Sequence, residues 1–204
     1  TAVVYTVNGD ANVPFYKELG NQGLSDEDIP VVAFSVGEEE LSGIDTNPLV
    51  GHLAAWNYFM SVVSETNGPF IEAWHAYIKD KKRVTYDPME ATYIGFNMWI
   101  EAVEKAGTTD PAAVQDAIIG VAVPNLSGGL SAMMPNHHIT KPVLIGEIQE
   151  DGQFEIVWET SGLVAGDAWS DYLPGSKDLI SSWRAPLSCG NYNVKTVKCS
   201  GQNF

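Results

Sequence analysis

The sequence predicts an α/β fold built on a parallel sheet, and two observations carry that expectation. Near the amino end two strand, loop, helix units follow one another, at residues 2–19 and 29–41, and a strand that runs parallel to its predecessor needs such a crossover. Farther on, residues 70–106 place apolar side chains at spacings of three and four, the pattern of helices that pack one face on a core.

The elements follow in order. Residues 2–7, Ala-Val-Val-Tyr-Thr-Val, form the first expected strand, and the polar turn from Asn8 to Asn12 puts Asn12 where it can cap a helix over 13–19. The second unit is a β-branched run at 29–34, a loop Ser35-Val36-Gly37, and an acidic helix start at 38–41, where negative charge suits the helix dipole. Ligands of open α/β sheets bind outside the carboxyl ends of the strands. The loops that start at Thr6 and Ser35 are therefore expected to share one edge. Residues 52–59 are a third extended run, followed by a polar loop.

In the helical block, Phe70, Ala73, Trp74 and Tyr77 share one face, and Met89, Tyr93, Phe96, Trp99, Ile100 and Val103 share another, closed by Gly107. Thr109-Asp110-Pro111 opens a third helix to about residue 119, with the proline in the tolerated first turn. Short strands and turns over 121–134 lead to a hairpin. Val143 and Ile145, then Phe154, Ile156 and Trp158, alternate with the period of two that faces a core, and Asp151-Gly152 is the turn. Beyond Ser161 we expect an extended wrap with one short helix near 177–183.

Composition bounds the function. With 204 residues, 45% hydrophobic and 18% charged, the chain can bury a core. Its 11 basic and 26 acidic residues give a formal charge of −15, which repels phosphate backbones and anionic lipid and argues against nucleic acid as a partner. No apolar run approaches the ~20 residues of a membrane span. The chain opens at Thr1 with neither an initiator methionine nor a basic-then-apolar leader, so it is expected to be a mature or truncated piece. Cys189 and Cys199 form a close pair in a loop-like tail. They read as a disulfide worth ~2–3 kcal/mol, the alternative being two free thiols. An oxidised pair suits a periplasmic or extracellular location.

The candidate chemistry is sparse. His137 and His138 are adjacent, so on an extended segment they point to opposite faces and do not ligate one metal together. A structural role is expected, and no metal. Glu38, Glu39 and Glu40 face three directions and read as a solvated surface, except that Glu38 directly follows the loop at the binding edge. There is no Gly-x-Ser-x-Gly elbow, no Gly-x-Gly-x-x-Gly and no phosphate-binding Gly-x-x-x-x-Gly-Lys. Neither a catalytic residue nor a cofactor is expected. What remains is a polar and aromatic set at strand ends: Thr6, Asn8, Ser35, Glu38, Trp56 and Tyr58. It suits a small neutral polar ligand, with core packing the competing role for Trp56.

Longer motifs carry a resemblance. Thr6-Val7-Asn8-Gly9-Asp10, Phe34-Ser35-Val36 with the three glutamates, Gly51-His52 with Trp56-Asn57-Tyr58-Phe59, Asp87-Pro88-Met89-Glu90-Ala91, Asn136-His137-His138 and Asp151-Gly152-Gln153-Phe154 occur in this order. Together with the tail from Gly166 to Asp178, then Trp183 and Leu187-Ser188-Cys189, the chain resembles the carboxyl-terminal half of substrate-binding proteins for urea and short-chain amides, of the branched-chain amino-acid type. The resemblance implies a type I periplasmic-binding-protein fold with Rossmann-like lobes and parallel sheets. It assigns residues 1–50 to the end of the second lobe's βα series, 51–142 to the first lobe, and 143–204 to the return crossover and a wrapping tail.

The same resemblance adds Gly9 and Val36 to the ligand set and makes the histidine pair part of a crossover whose path it fixes. It implies a non-enzymatic solute-binding component of an ABC importer, exported to the periplasm or cell envelope. Its partners would be the membrane permease subunits and the amino-terminal half of the same protein. An amide-sensing regulatory protein of the same fold is the alternative, and a zinc-dependent amidohydrolase the more distant one.

Overall fold

Why residues 1–41 start a sheet is visible in their order: two short β-branched runs, each followed by a helix. The computed structural model describes residues 1–167, Tyr172 and two short strands in the tail. Strand β1 (Val3–Tyr5) leads through a 3-10 turn (Gly9–Ala11) into helix α1 (Asn12–Asn21), and β2 (Val31–Ala33) leads into the single-turn helix α2 (Glu38–Leu41). Strand β3 (Leu53–Trp56) follows. β1, β2 and β3 pair in parallel, with Val3 opposite Val31 and Val32 opposite Leu53. The expected parallel sheet is thus present, built from strands shorter than the apolar runs.

Two local expectations differ. Asn12 does not cap α1, because the 3-10 turn feeds directly into the helix and the residue before it is already helical. The Asn12 side chain turns inward instead, accepting from the Tyr5 hydroxyl at 2.9 Å. The run at 52–59 is a strand only as far as Trp56. After that its apolar residues part: Phe59 joins the sheet core, while the Tyr58 hydroxyl meets Asn67 and Thr85.

The helical block comprises α3 (Asn67–Ile78), α4 (Asp87–Ala106) and α5 (Pro111–Ala117). Pro88 sits in the first turn of α4, and Gly107 closes it in the left-handed region at φ 67°. Asp110 caps α5 by accepting from the Ala113 amide at 3.0 Å. Strands β4 (Ala122–Pro124) and β5 (Leu130–Ala132) form a separate antiparallel pair. Ile94, Met98 and Ala102 on one stripe of α4 pack with Val114, Val121 and Val123 to form a second apolar cluster.

Strands β6 (Leu144–Ile148) and β7 (Phe154–Glu159) are the expected hairpin, with Gly152 at φ 76° in its turn. They complete a mixed five-stranded sheet in the order β1-β2-β3-β6-β7, with β6 antiparallel to both neighbours. The inward face of β6 is Leu144, Gly146 and Ile148, one residue out of phase with the expected Val143 and Ile145. Trp158 on β7 is half exposed. The reason is Gly146: a Cβ there would lie 2.9 Å from the Phe154 Cβ and 3.0 Å from the Phe59 ring. Those two rings, 4.4 Å apart, fill the space. Each fully buried Phe, Leu or Ile of this core contributes about 1.5–3 kcal/mol.

His137 and His138 are exposed in a turn whose ends bridge Met133 to Ile139. His137 is left-handed at φ 60°. The pair therefore sits at an exposed turn tip, where the neighbouring Asn136 Nδ2 donates to the Gly166 carbonyl at 3.0 Å. The chain falls into two compact units, Thr1–Gly166 and Asp167–Phe204. In the second, strands β8 (Tyr192–Asn193) and β9 (Lys198–Cys199) pair antiparallel. The expected Cys189–Cys199 side-chain pairing and the helix near 177–183 lie outside the described residues.

Candidate site at the strand ends

Because β1, β2 and β3 are parallel, their carboxyl ends and the loops after them lie along one edge. Sequence reasoning drew its candidates from these loops, and side-chain hydrogen bonds tie the three together. The Ser35 hydroxyl donates to the Val7 carbonyl, joining the second loop to the first. The Trp56 indole donates to the Val36 carbonyl at 2.6 Å, joining the third to the second. Thr6, Asn8 and Gly9 are exposed at the end of β1, and Gly9 adopts φ 60° to start the 3-10 turn. Val36 is buried beneath the loop and Trp56 is half-buried.

Glu38 and Tyr58 lie deeper than expected. Glu38 is 1% exposed, and its Oε1 accepts the Met60 amide at 2.6 Å while Oε2 is buried without a partner. Burial, reinforced by the nearby Asp87 and Glu40 charges, pushes its pKa up to about 8 against the stabilising amide bonds. At neutral pH Glu38 is an uncharged acid. Tyr58 is fully buried, with its hydroxyl 2.7 Å from both Asn67 Oδ1 and Thr85 Oγ1. Burial raises its pKa as well. It supports the wall from behind, because a satisfied hydroxyl in a closed pocket has nothing left to offer a ligand.

A second group beside the strand ends was not among the candidates. The Asp87 carboxylate accepts the Asn57 amide at 3.1 Å, and Lys141 lies 3.7 Å from Asp87 Oδ2 while also pairing with Glu90. All three charged residues are buried. Asn57 Nδ2 donates to the Pro142 carbonyl at 2.6 Å, so the segments entering and leaving the helical block are bonded to each other. The signal available in the sequence was faint. Asp87 and Glu90 are i, i+3 acids at the start of a helix, and Lys141 is an isolated lysine in an apolar stretch.

Among the described residues no group of three or more His, Cys, Asp or Glu is placed to hold a metal ion. No helix there is long and apolar enough to cross a membrane. A hollow of about 680 Å³ lies between α3 and α4, lined by Phe70, Trp74, Tyr93 and Ile100 among others, and includes none of the strand-end residues.

Residues 1–175 match the model of a family described as periplasmic binding protein domain. The chain also resembles solved structures. An amino acid ABC transporter substrate-binding protein from Pseudomonas fluorescens aligns with a TM-score of 0.65 and 19% identity, over 80% of this chain and 45% of that one. A solute binding protein of an ABC transporter from Rhodopseudomonas palustris, in complex with 3,4-dihydroxybenzoic acid, aligns at 0.69 and 18%, over 80% and 46%. A leucine binding protein from Thermotoga maritima aligns at 0.63 and 15%, over 78% and 44%. A curated Geobacillus stearothermophilus protein named limonene hydroxylase is 31% identical over 115 residues, which are 54% of this chain and 20% of that protein. The chain thus spans less than half of these structures and a fifth of that relative.

Proposed function

This chain belongs to the periplasmic binding protein domain family, and we propose that it forms part of a solute-binding component of an ABC importer that captures urea or a short-chain amide. The mixed α/β fold is that of the type I periplasmic binding proteins. In this reading residues 1–50 and the hairpin of β6 and β7 belong to one lobe and most of 51–142 to the other. The two apolar clusters support that division. The ligand enters between the lobes at the strand ends, the protein is exported, and its partners are membrane permease subunits. It binds and releases its solute without turning it over.

The observation that carries the choice of ligand is charge. The strand-end segments, Thr6-Val7-Asn8-Gly9, Phe34-Ser35-Val36-Gly37 and Trp56-Asn57-Tyr58, contain no lysine or arginine. Glu38 is an uncharged acid, and Lys141 is occupied by two carboxylates. A carboxylate ligand would find no cation among these groups, whereas a neutral amide finds hydroxyl and amide partners.

Urea has four heavy atoms. At a ceiling of ~1.5 kcal/mol per atom its binding free energy is about −6 kcal/mol, or roughly tens of micromolar. Calorimetry on the full-length protein with urea, acetamide, leucine and 3,4-dihydroxybenzoate tests the reading. Heat with urea or acetamide, and recovery of the solute unchanged, is expected. Heat with leucine or the benzoate alone overturns it.

A further inference from the structure

Two buried carboxylates, Asp87 and Glu90, face one buried ammonium, Lys141. A one-to-one pair would satisfy the lysine, and each additional buried charge costs free energy unless it has further partners. Lys141 is closer to Glu90 than to Asp87. Glu90 and Asp87 also spend their second interactions in different places. Glu90 Oε1 accepts the Leu126 amide at 3.3 Å, inside the helical block. Asp87 Oδ2 accepts the Asn57 amide at 3.1 Å, at the point where β3 has just ended. From Asn57 the connection runs one residue back to Trp56, whose indole is bonded to the Val36 carbonyl. The Asn57 side chain meanwhile reaches Pro142, next to Lys141.

We propose that Asp87 is a positioning residue for the ligand site: through the Asn57 amide it holds the Trp56–Tyr58 segment against the Val36 loop, with Lys141 beside it as counter-ion. This rests on the reading of the strand ends as the ligand site. Asp87 touches no ligand itself. It sets where the site's third loop stands, and Lys141 registers that loop to the returning chain.

The two acids provide their own control, because either can be removed while Lys141 keeps the other. In the full-length protein, Asp87→Ala weakens urea binding about tenfold or more, the size expected for loss of a hydrogen bond to a charged group. It also accelerates hydrogen exchange at the Asn57 amide. Glu90→Gln changes exchange at Leu126 and lowers the melting temperature, but leaves urea affinity within about twofold.

Asp87→Asn, which retains an oxygen acceptor, restores most of the protection at Asn57, and it decides the question if the alanine variant does not fold. Unchanged exchange at Asn57 in Asp87→Ala overturns the proposal, as does an Asp87→Asn protein that keeps the protection at Asn57 yet loses urea affinity, or an equal loss of affinity in Glu90→Gln. If the wild-type protein does not bind urea, the function proposed above fails, and the exchange measurements still judge Asp87.

Discussion

Met60 and Glu38, 22 residues apart in sequence, are joined by a 2.6 Å hydrogen bond from the Met60 amide to a carboxyl group that is otherwise closed off from water. The folded protein holds Glu38 protonated up to a pKa of about 8, against an ordinary 4.5, chiefly because burial disfavours the charged form. The unfolded chain releases that proton near 4.5. The stabilisation is therefore present in full below about 4.5 and is lost as pH rises toward 8. Asp87 and Glu90 are displaced upward too, so wild type must be compared with Glu38→Gln to isolate the effect. Between pH 5 and 8.5 the wild type is expected to lose ~2 kcal/mol or more beyond any loss in the variant. Parallel pH curves of guanidinium unfolding would refute this.

His52 acts in the opposite sense. Its Nδ1 accepts the Val31 amide at 3.1 Å and its ring is fully buried, so burial lowers its pKa, with Asp26 opposing weakly. The folded protein resists protonating it while the unfolded chain accepts the proton near 6.5. Stability is complete above that pH and declines as pH falls below it. His52→Asn, which offers an acceptor without titrating, should flatten the melting curve on the acid side of pH 6.5. A variant that follows the wild-type slope would show that His52 does not cause it.

Gly146→Ala is expected to cost about 1–3 kcal/mol, because the new methyl would press on Phe154 and Phe59 in a filled core. Combining it with Phe59→Leu should cost less than the sum of the two single changes, measured by denaturant unfolding. Simple additivity would mean that the crowding is relieved elsewhere.

At the turn tip, His137→Gly removes a side chain from a left-handed residue and should stabilise the protein by up to ~1 kcal/mol. His138→Ala, exposed beside it, should change stability by less than about 0.5 kcal/mol. Zinc should shift the melting temperature of neither variant relative to wild type. A zinc-dependent rise in wild type that His138→Ala abolishes would restore a metal role for the pair.

Much of the fold was legible because its signals are local. The βα alternation over residues 1–41, the helix end at Gly107, the helix start at Thr109-Asp110-Pro111, and the Asp-Gly hairpin turn follow from backbone preferences that neighbouring residues impose on each other. The errors arose where an apolar run served two destinations. Tyr58 and Phe59 continue the pattern of β3, yet one hydroxyl is claimed by Asn67 and Thr85 while the adjacent ring packs at a tilt against Phe154. Val143 and Ile145 alternate convincingly, but the face that met the core was decided by a glycine whose missing side chain leaves room for two rings.

The amino-acid order by itself determined the strand-helix alternation over residues 1–41, the helical block and the hairpin, that the loops after Thr6 and Ser35 share an edge, and that this edge carries uncharged polar groups. Only the tertiary structure decided that Glu38 is buried and neutral, that Tyr58 stands behind the wall, and that Asp87, Glu90 and Lys141 meet. Lys141 lies 51 residues from Glu90 along the chain. Nothing in the sequence around either residue records that partner, since the free energy of a buried charge depends on what surrounds it in space.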